Sequence, residues 1–211
     1  MNRRLVSAAV ISLSLFTISS AWAGKYNSTL SIGDKSPEWK ELPGTDDKKH
    51  SFADFADKEI LVVVFTCNSC PYAVDYEDRL VAFAKEMTDS KASVGLVAIN
   101  VNKIEEDMLP AMKKRAEAKH FNFPYIFDET QQTAKDFGAV RTPEFFVFNK
   151  DRQLIYTGAM DDSSDGKKIT KDYLREAITA TTAGKKVETE ETPPVGCGVR
   201  FDRPKRQPKK K

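Results

Sequence analysis

Cysteine is scarce in this chain. Three cysteines in 211 residues are too few for a disulfide scaffold, so the fold must stand on a hydrophobic core. Histidine is scarcer still: His50 and His120 lie far apart. With Cys197 the only thiol outside the pair Cys67 and Cys70, no four-ligand zinc spacing can be assembled from neighbours in sequence. The histidine contexts DKKHSF and EAKHFNF carry no signature of Ser-His-Asp or Cys-His catalysis and read as surface or packing positions. There is no internal repeat, and no basic stretch interleaved with aromatics, so nothing supports nucleic-acid recognition. After residue 23 no apolar run is long enough to span a bilayer.

What is present starts with a leader-like segment. MNRRLVSAAVISLSLFTISSAWA combines two arginines, an apolar stretch from Leu5 to Ile18 and the ending Ala21-Trp22-Ala23, the layout of a secretory signal peptide over residues 1–23. The expected mature chain starts at Gly24, is exported to a periplasmic or extracellular space, and meets an oxidising environment where disulfides persist. The net charge of +2 equals the two arginines of that segment, which leaves the mature chain near neutral. Seven basic residues crowd between Arg200 and Lys211 against Asp202 alone. This end reads as solvated and disordered, with weak contact to an anionic envelope surface as the alternative.

Residues 24–184 are expected to form one α/β domain of about 160 residues. Residues 24–50 are turn-rich. ILVVVF, starting at Ile60, is a β-branched run typical of a strand buried on both faces of a sheet. Tyr76, Leu80, Phe83 and Met87 then fall on one helical face. The strand VGLVAIN, a charged helix around Leu109, Met112 and Ala116, the short strand PYIFD and a helix from Thr130 to Phe137 stopped at Gly138 continue the alternation, which implies parallel βαβ units. FFVF, the turn NKDR and LIYTG read as an antiparallel hairpin, and a last helix runs from Thr170 to Ala183 before Gly184. Residues 185–211, with Cys197 and the basic end, read as a polar linker-like tail outside the core. The segment DDSSDGKKITKD imitates a calcium loop, but Lys167 and Lys168 oppose the cation.

The chemistry concentrates in FTCNSCPYA. Placed after a buried strand and before a helix, the pair is expected to put Cys67 at the helix N-terminus. There, unpaired N–H groups and the helix dipole favour an exposed thiolate, with Cys70 one turn in as the resolving thiol. A purely structural disulfide is the weaker reading, because a four-residue loop removes little entropy from the unfolded chain.

ILVVVF-TCNSCP followed about 70 residues later by VRTPEFFVFNKDRQLIYTG resembles the thioredoxin-like superfamily. The extra βα unit and the lead-in SPEWKELPGTDDKKHSFADF resemble its redoxin branch of peroxiredoxins and exported thioredoxins. Closest in pattern is an exported peroxiredoxin-like thioredoxin group with a DD-containing loop, here Asp161-Asp162, and a late Gly-Cys segment, here Gly196-Cys197. The likeness covers roughly residues 33–200. It implies a central mixed sheet with parallel βαβ units, a C-terminal hairpin and helices on both faces.

The resemblance also implies roles. Cys67 would be the nucleophile and Cys70 the resolving thiol. Pro143, preceded by Thr142, would be a cis-proline alongside which a substrate backbone lies, and Arg141 would help to hold the thiolate. No cofactor and no metal are implied; the partners would be protein disulfides or dithiols and an unidentified electron donor. Two departures matter. Leu61 stands where thioredoxins carry a buried acid, and Cys67 stands where peroxiredoxins carry a threonine, with Cys70-Pro71 matching their Cys-Pro. The expected activity is thiol-disulfide exchange, with a thiol peroxidase or a non-enzymatic binding module as alternatives.

Cys197 remains open on sequence alone. The last helix should run away from the active-site end, so the tail starts at the far end of the domain. Thirteen residues from Gly184 to Cys197 reach at most about 43 to 47 Å, across a domain about 38 Å wide. Either Val195, Val199 and Phe201 anchor the tail with Cys197 buried in the docked segment, or Cys197 is a third redox cysteine that exchanges with the pair or links two chains.

Overall fold

The structure is a computed structural model that describes residues 24–203. The expected signal peptide and the residues 204–211 of the basic end lie outside the described residues.

The lead-in contributes a two-stranded ribbon, β1 (Leu42–Pro43) and β2 (Lys49–His50). The main sheet uses β3 (Ile60–Phe65), β4 (Val94–Asn100), β5 (Tyr125–Phe127), β7 (Glu144–Phe148) and β8 (Leu154–Gly158), with the short β6 (Arg141–Thr142) just ahead of β7. The strand order is β5-β4-β3-β7-β8. β3 pairs parallel with β4 and antiparallel with β7, so Val63 lies between Val97 and Phe146. β4 and β5 are parallel, and β7 and β8 form the expected hairpin. This is the α/β thioredoxin-like fold, with a mixed five-stranded sheet.

All six residues of β3 are buried, because the strand is central and covered on both sides. Its alternate residues divide between two cores. Ile60, Val62 and Val64 face α1 (Pro71–Asp89), α2 (Leu109–Ala118) and α4 (Tyr173–Thr182), through Tyr76, Phe83, Met112 and Leu174. Leu61, Val63 and Phe65 face α3 (Gln132–Phe137) and the lead-in, where Phe137 and Trp39 pack. Gly138 ends α3 in the left-handed conformation at φ 66°, as a C-terminal glycine does. The last helix is shorter than its pattern suggested: Asp172 accepts a 3.0 Å bond from the Arg175 N–H and caps it.

The tail departs from expectation. Residues 185–203 are laid along the domain and do not form a linker. Val187 is buried in the first core. Thr157 of the edge strand β8 donates to the Glu190 carbonyl at 3.1 Å and accepts from the Thr192 N–H at 3.0 Å. The tail thereby covers an otherwise open sheet edge. Thr192 is buried; its hydroxyl lies 2.8 Å from the Tyr156 hydroxyl and accepts from the Ala159 N–H at 2.9 Å. Past two prolines the chain ends in β9 (Cys197–Gly198), which pairs antiparallel with β6. Val187 and Thr192 are therefore the buried anchors; of the three residues expected to dock, Val199 packs half-buried against the second core, while Val195 and Phe201 are exposed. A hydroxyl with two buried partners holds better here than valine could.

Candidate active site

The dithiol sits where β3 gives way to α1. Proline is favoured at the first position of a helix because it has no N–H to leave unpaired. Pro71 takes that position, which makes Cys70, not Cys67, the N-cap residue. The expectation placed the helix start three residues too early, and Pro71 was the signal that could have found it. Both cysteines are free thiols, with Cys67 3% and Cys70 1% exposed. The expected exposure of Cys67 is thus corrected, since β9 and its flanks lie across the site.

The two cysteine side chains pack together, and their settings differ. A thiolate at Cys70 is met by the Cys67 thiol, then by Cys197, the Ala73 N–H and Thr142, and together these outweigh burial and pull Cys70 below the ordinary thiol range. Cys67 is pushed up, first because it serves as donor to Cys70, then by burial and by the nearby charge of Asp107. As a thiol, Cys70 donates to the Thr142 carbonyl at 3.0 Å. Cys67 Sγ lies 3.4 Å from the Thr142 hydroxyl and 3.7 Å from that of Ser69.

Asp107 was missed by the sequence reading, which found leucine where an acid was wanted. It is fully buried at the end of a one-turn helix, Glu105–Asp107, between β4 and α2. Its carboxylate accepts from the Ser69 N–H at 2.9 Å, the Ser69 hydroxyl at 2.6 Å and the Asn102 side-chain amide at 3.1 Å. It therefore clamps the CNSC loop from inside. In sequence it is one of three consecutive acids and carries no local mark of burial. Asn68 is held as well: its amide donates to the Glu106 carbonyl at 2.8 Å and its oxygen accepts from the Tyr125 hydroxyl at 3.0 Å.

The Thr142-Pro143 bond is cis, and β6 brings Thr142 against both sulfurs. Arg141 adjoins Thr142 in sequence but does not join it at the sulfurs. It is exposed, and among the described residues its guanidinium makes no hydrogen bond with Cys67 or Cys70; its charge acts instead on Cys197. Cys197 is brought in. It is half-buried, packs against Cys67, Cys70 and Ala73, and pairs with Thr142 in the β6–β9 ribbon. Burial and then proximity to Cys70 push its thiol up to about 11. The calcium-like segment is otherwise engaged: Asp161 pairs with Arg79 at 2.5 Å, and the same guanidinium donates to the Ser163 and Ser164 carbonyls.

A protein from Sinorhizobium meliloti described as hypothetical has a solved structure with a TM-score of 0.76 and 31% identity, covering 83% of this chain and 97% of that one. An uncharacterized conserved protein from Geobacillus kaustophilus is similar at 32% identity and TM-score 0.76, covering 83% and 95%. More distant is the peroxidoxin BcpB of Mycobacterium tuberculosis, at 19% identity and TM-score 0.56 over 72% of this chain and 96% of that one, which shows a shared fold. No curated protein sequence matches. Residues 31–174, well over half of the chain, match the family model described as Redoxin, and the chain belongs to that thioredoxin-like family of thiol-based redox proteins.

Proposed function

We propose that the protein is an exported thiol-disulfide oxidoreductase that exchanges electrons with protein disulfides or dithiols through Cys67 and Cys70. The observation that carries this reading is the pair itself: two thiols packed together at the start of a 19-residue helix, with the cis Thr142-Pro143 segment against them. The export part rests on the N-terminal segment alone.

The geometry favours roles opposite to those the resemblance implied. The Cys70 thiolate, stabilised at the N-cap, attacks one sulfur of a substrate disulfide and expels a thiolate. Cys67 then gives up its proton and attacks Cys70 Sγ, which forms the Cys67–Cys70 disulfide and frees the second substrate thiol. Burial and the hydrogen bond to Cys70 keep Cys67 protonated until Cys70 has spent its charge. The substrate's two electrons come from the pair, and an external dithiol donor returns them. No cofactor enters the cycle.

A peroxidase reading has one observation in its favour, Cys70-Pro71 at the helix start, where a lone thiolate would also attack peroxide. Insulin reduction and peroxide consumption by the full chain, run with one dithiol reductant, separate the two. Disulfide exchange predicts insulin reduction that Cys70→Ser abolishes, with Cys67→Ser leaving Cys70 held in a disulfide that the missing thiol no longer resolves. Peroxide turnover by Cys67→Ser without insulin reduction by the wild type would overturn it.

A further inference from the structure

The short strand β6 presents backbone N–H and C=O groups beside the dithiol, and a polypeptide substrate reaching Cys70 would pair with such an edge. That edge is already taken: Thr142 faces Cys197 and Arg141 faces Gly198 in antiparallel register. The close approach is built for glycine. Gly196 has φ 151°, and a Cβ there would fall 2.0 Å from the Thr142 carbonyl oxygen. Beyond β9, the Val199 N–H donates to the Val140 carbonyl at 3.0 Å, the Arg200 N–H to the Asn102 side chain at 2.8 Å, and the Asp202 N–H to the Gln131 side chain at 2.7 Å. These contacts draw the strap across the site.

Its two halves are held differently. Upstream, Thr192 is buried. Downstream, the contacts are made by half-buried Val199 and by exposed Arg200 and Asp202, and Pro193 and Pro194 between the two halves have no N–H to donate. The segment from Gly196 onward can lift while Thr192 stays in place.

We propose that residues 196–200 occupy the substrate groove as an internal substrate, and that Cys197 is a third redox thiol whose disulfide with Cys70 is formed and then resolved within the site. The inference rests on the disulfide-exchange reading and adds a place for the odd thiol. A disulfide compound enters as the strap lifts, and the Cys70 thiolate attacks it, forming a mixed disulfide and releasing the first thiolate. On return of the strap, Cys197 loses its proton to solvent and attacks Cys70 Sγ. The Cys70–Cys197 bond forms, and the second thiolate leaves and is protonated. Cys67 next attacks the same Cys70 sulfur, forming Cys67–Cys70 and restoring Cys197 as a thiol. The disulfide compound has gained two electrons and two protons; the three cysteines have lost two electrons and the Cys67 proton, and solvent supplies the second proton because Cys70 entered as a thiolate. Strap return and product release are thus one event.

The test is peptide mapping under non-reducing conditions after full-length Cys67→Ser is treated with oxidised glutathione. The expected product is a monomer carrying a Cys70–Cys197 link. Glutathione retained on Cys70 with Cys197 open to alkylation, or a Cys197–Cys197 dimer, overturns the inference; Cys67→Ala repeats the experiment if the serine variant is poorly folded. Groove occupancy is read separately from Gly196→Val, whose side chain cannot share space with the Thr142 carbonyl. Alkylation of reduced Cys70 should quicken about tenfold or more, as expected when the strap loses two or more hydrogen bonds of modest net strength. An unchanged rate overturns the occupancy. If the wild type fails to reduce insulin while the Cys70–Cys197 link still forms, the protein-substrate reading falls and this one stands.

Discussion

Replacing Asp107 tests whether the CNSC loop is clamped from within. The carboxylate accepts three hydrogen bonds, two from Ser69 and one from Asn102, and is fully buried. Hydrogen bonds to a charged group contribute about 1.5–3 kcal/mol each, and buried donors left unpaired cost about 1–3 kcal/mol. Rotation of the Ser69 hydroxyl recovers part of this, so Asp107→Ala should lose about 4 kcal/mol, a large share of a typical folding stability of about 5–15 kcal/mol. With a urea slope of about 2 kcal/mol per molar, the unfolding midpoint should fall by about 2 M. Asp107→Asn keeps the shape and one acceptor but sets two amide groups as donors toward each other, and should lose about 1–3 kcal/mol. A second readout separates chemistry from stability. Cys67 is held high by its bond to Cys70, by burial and by the Asp107 charge, so removing that charge lowers its pKa. In Asp107→Asn, alkylation of Cys67 should begin at lower pH than in the wild type. Wild-type urea midpoints for both variants, or an unshifted Cys67 profile, would refute the clamp and its charge.

Three further outcomes follow from the same contacts. Arg79→Met leaves the buried Asp161 carboxylate without its cation and should cost about 3–5 kcal/mol; adding Asp161→Asn should recover much of it, and thermal unfolding of the double mutant checks this. Thr192→Val removes the hydroxyl shared by Tyr156 and Ala159, for about 1–3 kcal/mol, and should expose residues 185–203 to limited proteolysis. Cys67 first, then Ala73 and Thr142 still meet the Cys70 thiolate when the strap and its Cys197 are displaced, which keeps Cys70 below the ordinary thiol range. Its alkylation rate in Gly196→Val should therefore stay level from mildly alkaline to mildly acidic pH; a rate that drops steeply below pH 8 would place the thiolate elsewhere.

The sequence by itself determined the layered architecture and the place of the dithiol, because both are written in local pattern. A β-branched run that fills a strand, a helical spacing of Tyr76, Leu80 and Phe83, and the hairpin around NKDR each depend on neighbours within a few residues. Pro71 even encodes which cysteine caps the helix. Only the tertiary structure decided what the tail does and which acid serves the site. Thr192 finds Tyr156 36 positions away and Asp107 reaches Ser69 across 38, through single side chains in segments without period. Such contacts leave no mark in either sequence neighbourhood. Cys197 shows the limit most plainly: chain length allowed it to reach the dithiol, but only the fit of Gly196 over the Thr142 carbonyl and the pairing of β9 with β6 bring its sulfur there.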